Sequence, residues 1–198
     1  VAFRISLSST KEPYAVSAWL RQGEIQAESI SLTVEFSDKL LKEKLSDMKQ
    51  LMANKPDNWH VILQNICAEC GIKLVYTQSL PKAPINGATR WISGKYPLIQ
   101  MSGRYKRYDV FWFSFFHEIG HILLHGKKDI FLENIEYDDK EISKEKEADE
   151  FASKIVLSNE EEQEIIKSGD YSPSNIMLFA QQFGTHHSII IRSEEHTS

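Results

Sequence analysis

The sequence predicts an α+β fold, a small antiparallel sheet packed against several helices with one strongly apolar helix at its centre. Three observations predict it. Apolar residues recur at helical spacing in several segments, each bounded by capping or chain-breaking residues. Three short runs with strand character fall close together between Ile72 and Met101. The most apolar helical run, Val110 to Leu124, carries His117-Glu118-Ile119-Gly120-His121 in its middle, so it must hide two imidazoles and a carboxylate.

From Val1 to about Phe36 the composition is mixed, and only Ala18, Trp19 and Leu20 concentrate apolar character after Phe3; residues 1–36 read as a connector from an upstream module. Ser37 caps a helix carrying Leu40, Leu41, Leu45, Met48 and Met52, which must end before Pro56. Asp57 opens an amphipathic helix through Trp59 to Cys70, closed by Gly71. Ile72 to Tyr76 is a strand, and Ser79 to Pro84 is a loop with two prolines. Ala88 to Ser93 and Pro97 to Met101 form a hairpin turning through Ser93-Gly94-Lys95.

The central helix follows at once, with Asp109 as its natural N-cap and Gly126 where its end favours a left-handed residue. A charged stretch, Glu133 to Glu147, leads to a helix striped with Ala148, Phe151, Ala152, Ile155 and Val156. Ser158 and Glu161 make a capping box for the next helix, Ser172-Pro173 starts the last one, and Gly184 stops it. The folded domain therefore runs over residues 37–191. Arg192 to Ser198 reads as a non-native tail, because this heptapeptide is what a common sequencing-adapter DNA encodes. It is set aside with its His196.

With 198 residues, 41% of them hydrophobic, the chain can bury a real core. A net charge of −5 argues against a nucleic-acid-binding surface over the chain as a whole. No apolar stretch reaches the roughly 20 residues of a membrane span, so no membrane partner is expected. Val1-Ala2-Phe3-Arg4 lacks the basic leader and long apolar core of a signal peptide, and the missing Met points to an incomplete N-terminus. Cys67 and Cys70 have C-x-x-C spacing, but a four-cysteine zinc site would need two thiols the sequence lacks. They read as reduced core thiols, which places the protein in a reducing cytoplasm.

Histidines four apart on a helix point the same way, so His117 and His121 can hold one Zn²⁺. Glu118 can then take a proton from water at the metal, as general base. A third ligand must come from elsewhere. The three-histidine pattern wants Gly at position 124 and His at 127, where this chain has Leu124 and Lys127. His125 lies about 12 Å along the axis from His117, too far to share the ion, and reads as a helix-end histidine favoured by the dipole.

That leaves the acidic cluster of the next helix. At about 100° per residue, Glu145 falls about 60° from the centre of the apolar stripe, whereas Glu147 and Asp149 lie about 100° away on opposite flanks. Glu145 is therefore chosen as ligand over Glu147. Asp149, four residues on, is placed to accept a hydrogen bond from a ligand histidine. Glu147 and Glu150 read as solvated charges.

These two segments, His117 to His125 and Glu145-Lys146-Glu147-Ala148-Asp149-Glu150-Phe151-Ala152, resemble the ImmA/IrrE family of zinc metallopeptidases. The resemblance covers about Asp57 to Ile191 and includes Phe179-Ala180-Gln181-Gln182-Phe183-Gly184. It implies a gluzincin-like zincin fold, two His and one Glu on zinc, and a Glu base. It also implies cleavage or control of DNA-bound repressors in the bacterial cytoplasm. Asp149 stands where many members carry Asn, and members continue beyond Ile191. Ala18 to Glu24 resembles the connector of HigA-type antitoxin regulators, which fuse a helix-turn-helix to this domain; DNA contact would then belong to a missing N-terminal domain.

The expected activity is zinc-dependent hydrolysis of a peptide bond in a regulatory protein, with an oxyanion donor among Tyr137, Tyr171, His186 and His187. The strand Pro97 to Met101 offers an edge to an extended substrate. Arg104, Lys106 and Arg107, with Tyr105 and Tyr108, read as a solvated turn. Two other classes stay open: a zinc-binding regulatory module with little turnover, and a zinc hydrolase with a non-peptide substrate.

Overall fold

The three longer strands bury residues on both faces, and that sets the architecture of the computed structural model, which describes residues 12–83, 85–102, 107–126, 131–132 and 139–197. β1 (Lys73–Thr77), β2 (Gly87–Ile92), β3 (Tyr96–Ser102) and β4 (Phe131–Leu132) form one sheet in the order β1-β3-β2-β4. β2 is antiparallel to β3 and to β4, but β1 runs parallel to β3. The sheet is mixed, which corrects the expected antiparallel one. The cause is the path of the chain: β2 is laid one strand-width beyond β1, and the hairpin folds β3 back into the gap, in β1's own direction. β3 is thus an internal strand, paired on both sides, and not the free edge expected for Pro97 to Met101.

Successive residues of a strand face opposite sides. On one side Ala88 and Leu98 meet α1 (Pro13–Glu28), whose Val16, Trp19, Leu20 and Ala27 are buried. Two buried polar side chains fix this helix. Gln100 donates through Nε2 to Trp19 O at 2.7 Å and to Thr77 Oγ1 at 3.0 Å, and Arg90 donates to Leu20 O at 2.7 Å. Gly23 has to be glycine here, because a Cβ would overlap the Gln100 side chain. So part of the stretch expected to be a connector is a helix docked on the sheet.

On the other side Leu74, Ile99 and Met101 enter the main core with α2 (Asp38–Asn54), α3 (Trp59–Glu69) and α4 (Tyr108–Leu124). Then come α5 (Asp139–Val156), α6 (Asn159–Ser168), α7 (Pro173–Phe183) and α8 (His187–Thr197). Ser37, Ser158 and Ser172 accept at the N-termini of α2, α6 and α7, the second in a complete capping box, and Gly169 and Gly184 close α6 and α7 in the left-handed region. Ser93 and Gly94 both have positive φ in the three-residue turn, Ser93 to Lys95, that joins the paired residues Ile92 and Tyr96. Cys67 and Cys70 are free and buried; burial pushes the Cys70 thiol up to about 11 and the Cys67 thiol well above its ordinary value. Among the described residues, no helix is long and apolar enough to cross a membrane.

The expected caps of α4 both differ. Arg107 occupies the N-cap position and its guanidinium holds the Asp109 carboxylate at 2.9 Å, so Asp109 acts inside the first turn. At the other end His125 leaves the helix in an extended conformation while its N–H still bonds His121 O at 3.1 Å. Gly126 is therefore not needed as a left-handed cap and has no positive φ.

Candidate metal centre

From Ser114 to Ile122 every side chain of α4 is buried, between β2 and β3 on one side and α5 on the other. Gly120 lets α5 come close: a Cβ there would stand 3.1 Å from Ala148 Cα. That contact brings the middle of α5, Glu145 to Asp149, alongside the histidines.

His117 Nε2 and His121 Nε2 lie 2.9 Å apart. Glu145 completes a triangle, with Oε2 3.2 Å from His117 Nε2 and Oε1 3.3 Å from His121 Nε2. Ligand arms of about 2.0–2.1 Å in a tetrahedron give edges of about 3.3 Å, so the spacing of these three residues suits one shared ion, which would leave a fourth ligand position for water. His117, His121 and Glu145 are also the group among the described residues whose ligand atoms lie close enough to hold a metal. The helical register read from the stripe puts Glu145, not Glu147, at this point.

The carboxylate of Asp149 accepts from His117 Nδ1 at 2.8 Å, as expected of a residue four beyond Glu145. Glu147 is exposed, as expected, but its Oε2 also lies 3.4 Å from His125 Nε2. His125 in turn sets its Nδ1 2.9 Å from Nδ1 of His121. Neither contact was readable from periodicity. The spacing of His121 and His125, again four apart, was the available signal.

Burial opposes a charge on His117, but hydrogen bonds to Asp149 and Glu145 push it up to about 10. For His121 burial prevails, with the charge of His117 added, and takes it down to about 4. Burial would raise Glu145, yet hydrogen bonds to both histidines bring it down to about 2. Burial lowers His125 against the pull of Glu147.

Glu118 is fully buried on the next face of α4, against the start of β2. Gly87 permits this: a Cβ would sit 2.5 Å from Glu118 Oε1. Thr89 adds a hydroxyl bond to Glu118 O at 3.3 Å. Sequence reasoning missed both positions.

Of the expected oxyanion donors, the three that are described are not gathered here. His186 packs on Tyr108 with ring centroids 4.6 Å apart, and His187 packs on His186 at 4.0 Å. Tyr108 is nine residues before His117, about 13 Å along the helix, which takes both histidines out of that role. Tyr171 is exposed between α6 and α7. Tyr137 lies outside the described residues, as do Arg104, Tyr105 and Lys106 of the basic turn.

The family model of the IrrE N-terminal-like domain of peptidase family M78 matches residues 68–189, well over half of the chain and all of this site. No curated protein matches the chain.

Proposed function

The chain belongs to peptidase family M78, and from that premise we propose that it is a zinc-dependent endopeptidase working through His117, His121, Glu145 and Glu118. The observation that carries this is the convergence of two imidazoles and a carboxylate within tetrahedral reach, beside the fully buried carboxylate of Glu118. Two nitrogen ligands and one carboxylate suit zinc, and a fourth direction left open is the mark of a catalytic site. Zinc held there would supply a Lewis acid and would bring the pKa of a bound water toward about 7. His117 and His121 orient their Nε2 atoms, Asp149 fixes the tautomer of His117, and Glu118 takes the proton of the attacking water and returns it to the leaving amine.

The substrate side is supported by a cavity of about 510 Å³ whose walls include Trp59, Tyr76, Met101, Val110, Phe111 and Ser114. Ser114 lies one turn before Glu118 on α4, so the cavity adjoins the general base about 6 Å along the axis. It fits a large apolar side chain beside the scissile bond. A regulatory protein of repressor or antitoxin type, in a bacterial cytoplasm, is the substrate we propose on the resemblance. The test is cleavage of a proteome-derived peptide library by zinc-loaded protein. We expect cuts enriched beside large apolar residues, and none from Glu118→Gln at equal zinc content. Equal cleavage by that variant sinks the general-base role; zinc uptake with no cleavage by either form favours a regulatory module without turnover.

A further inference from the structure

The second ligand histidine is supported by a device the first does not share. His125 ends α4, is buried to 6% exposure, and touches His121 on one ring nitrogen and Glu147 on the other. A neutral imidazole carries one N–H. If His121 offers the Nε2 lone pair to a metal, its hydrogen is on Nδ1, and the only orientation left for the 2.9 Å contact is donation to His125 Nδ1. His125 must then carry its own hydrogen on Nε2, the nitrogen that faces Glu147 Oε2 at 3.4 Å.

We propose that His125 is a positioning residue that relays the Glu147 carboxylate to the ligand His121 through an imidazole. The direction of the whole chain is fixed by valence: His121 Nδ1–H donates to His125, and His125 Nε2–H donates to Glu147. His117 reaches its carboxylate, Asp149, directly at 2.8 Å. The two ligands are thus oriented by two carboxylates from the same helix, one at first hand and one through a ring. His117, His121 and His125 follow one another four apart along α4, whereas on α5 only Glu145 and Asp149 are four apart and Glu147 lies on a different face. Partners of this kind set the tautomer of a ligand and raise its basicity.

The inference rests on the metal reading above, so its readouts are zinc affinity and tautomer state, not cleavage. In zinc-loaded protein with ¹⁵N-labelled histidine, NMR is expected to show His121 protonated on Nδ1 and His125 on Nε2. By chelator competition, His125→Phe should weaken zinc roughly 10–100-fold. That variant keeps a ring for packing but has no acceptor. His125→Asn, whose amide oxygen can accept from His121, should recover part of the loss. Glu147→Gln should weaken zinc in the wild-type background and add nothing to His125→Phe. Wild-type affinity in the Phe variant, additive losses in the double variant, or a His125 protonated on Nδ1 each overturn the relay alone. A wild-type chain that takes up no zinc overturns the relay and the metal reading together.

Discussion

Two chemically identical side chains four residues apart on α4 have their proton affinities pushed in opposite directions. His117 faces two carboxylates, Asp149 and Glu145, and keeps its proton up to about 10. His121 faces one carboxylate and another imidazole, and burial brings it down to about 4. Glu145 is ionised above about 2. A metal needs all three as free bases, so near neutral pH a single proton, that of His117, has to leave when the ion enters. The sign follows: zinc binding grows stronger as pH rises toward 10 and weaker as it falls. Calorimetry at pH 7 in buffers of different ionisation enthalpy should show about one proton released per zinc. Affinity should rise by about tenfold per pH unit between pH 6 and pH 8. Asp149→Asn removes the stronger hold on that proton and should reduce both the release and the slope. A pH-independent affinity over this range would contradict the assignment of the proton to His117.

At the scale of elements, β2 and α4 are fitted to one another by a missing side chain. Gly87→Ala would force a methyl against Glu118 Oε1 at 2.5 Å, with the β-strand unable to withdraw because it is paired on both sides. Urea titration should show a loss of about 1–3 kcal/mol, as for other overpacked sites. Zinc content should be kept, since no ligand moves, while cleavage falls with the displaced base. How much of this was legible varied with the kind of signal. Ser37, Ser158 with Glu161, Ser172-Pro173, Gly184 and the Ser93-Gly94 turn act on their own neighbours, and each marks the element it was read to mark. The stripe of α5 chose Glu145 because a helical face is decided within the helix. The parallel pairing of β1 with β3 depends on where a loop lays the next strand, which no local pattern encodes. α1 gives only a weak apolar signal because Gly23 and Ala27 carry the second half of its buried stripe, after Val16, Trp19 and Leu20. Gly87 and His125 escaped detection for another reason: each acquires its meaning from an atom brought to it by another segment or turn.

For the whole molecule, the site is a clasp between its two most extensively packed elements, α4 and α5. Two of the candidate ligands come from α4 and the third from α5, so an ion held there would join helices that otherwise meet through Gly120, Ala148 and their neighbours. The unfolded chain separates Glu145 from the histidine pair by the whole α4–α5 link, and binding to the folded state then dominates. Stabilisation by such a ligand is set by its concentration relative to Kd, about 2.7 kcal/mol at a hundredfold excess. For a chain of this size that corresponds to roughly 5–11 °C in melting temperature. Removing metal with a chelator should therefore lower the Tm by that amount and leave a folded protein, because the core around Trp112, Phe115 and Phe116 contains no ligand. Glu145→Ala should melt at one temperature with or without zinc. Glu118→Gln should keep the full difference, since its carboxylate is not part of the clasp. If the wild-type chain, zinc-loaded by direct metal analysis, melts no higher than its chelated form, then the ion does not bridge α4 and α5, and Glu145 is not its third ligand.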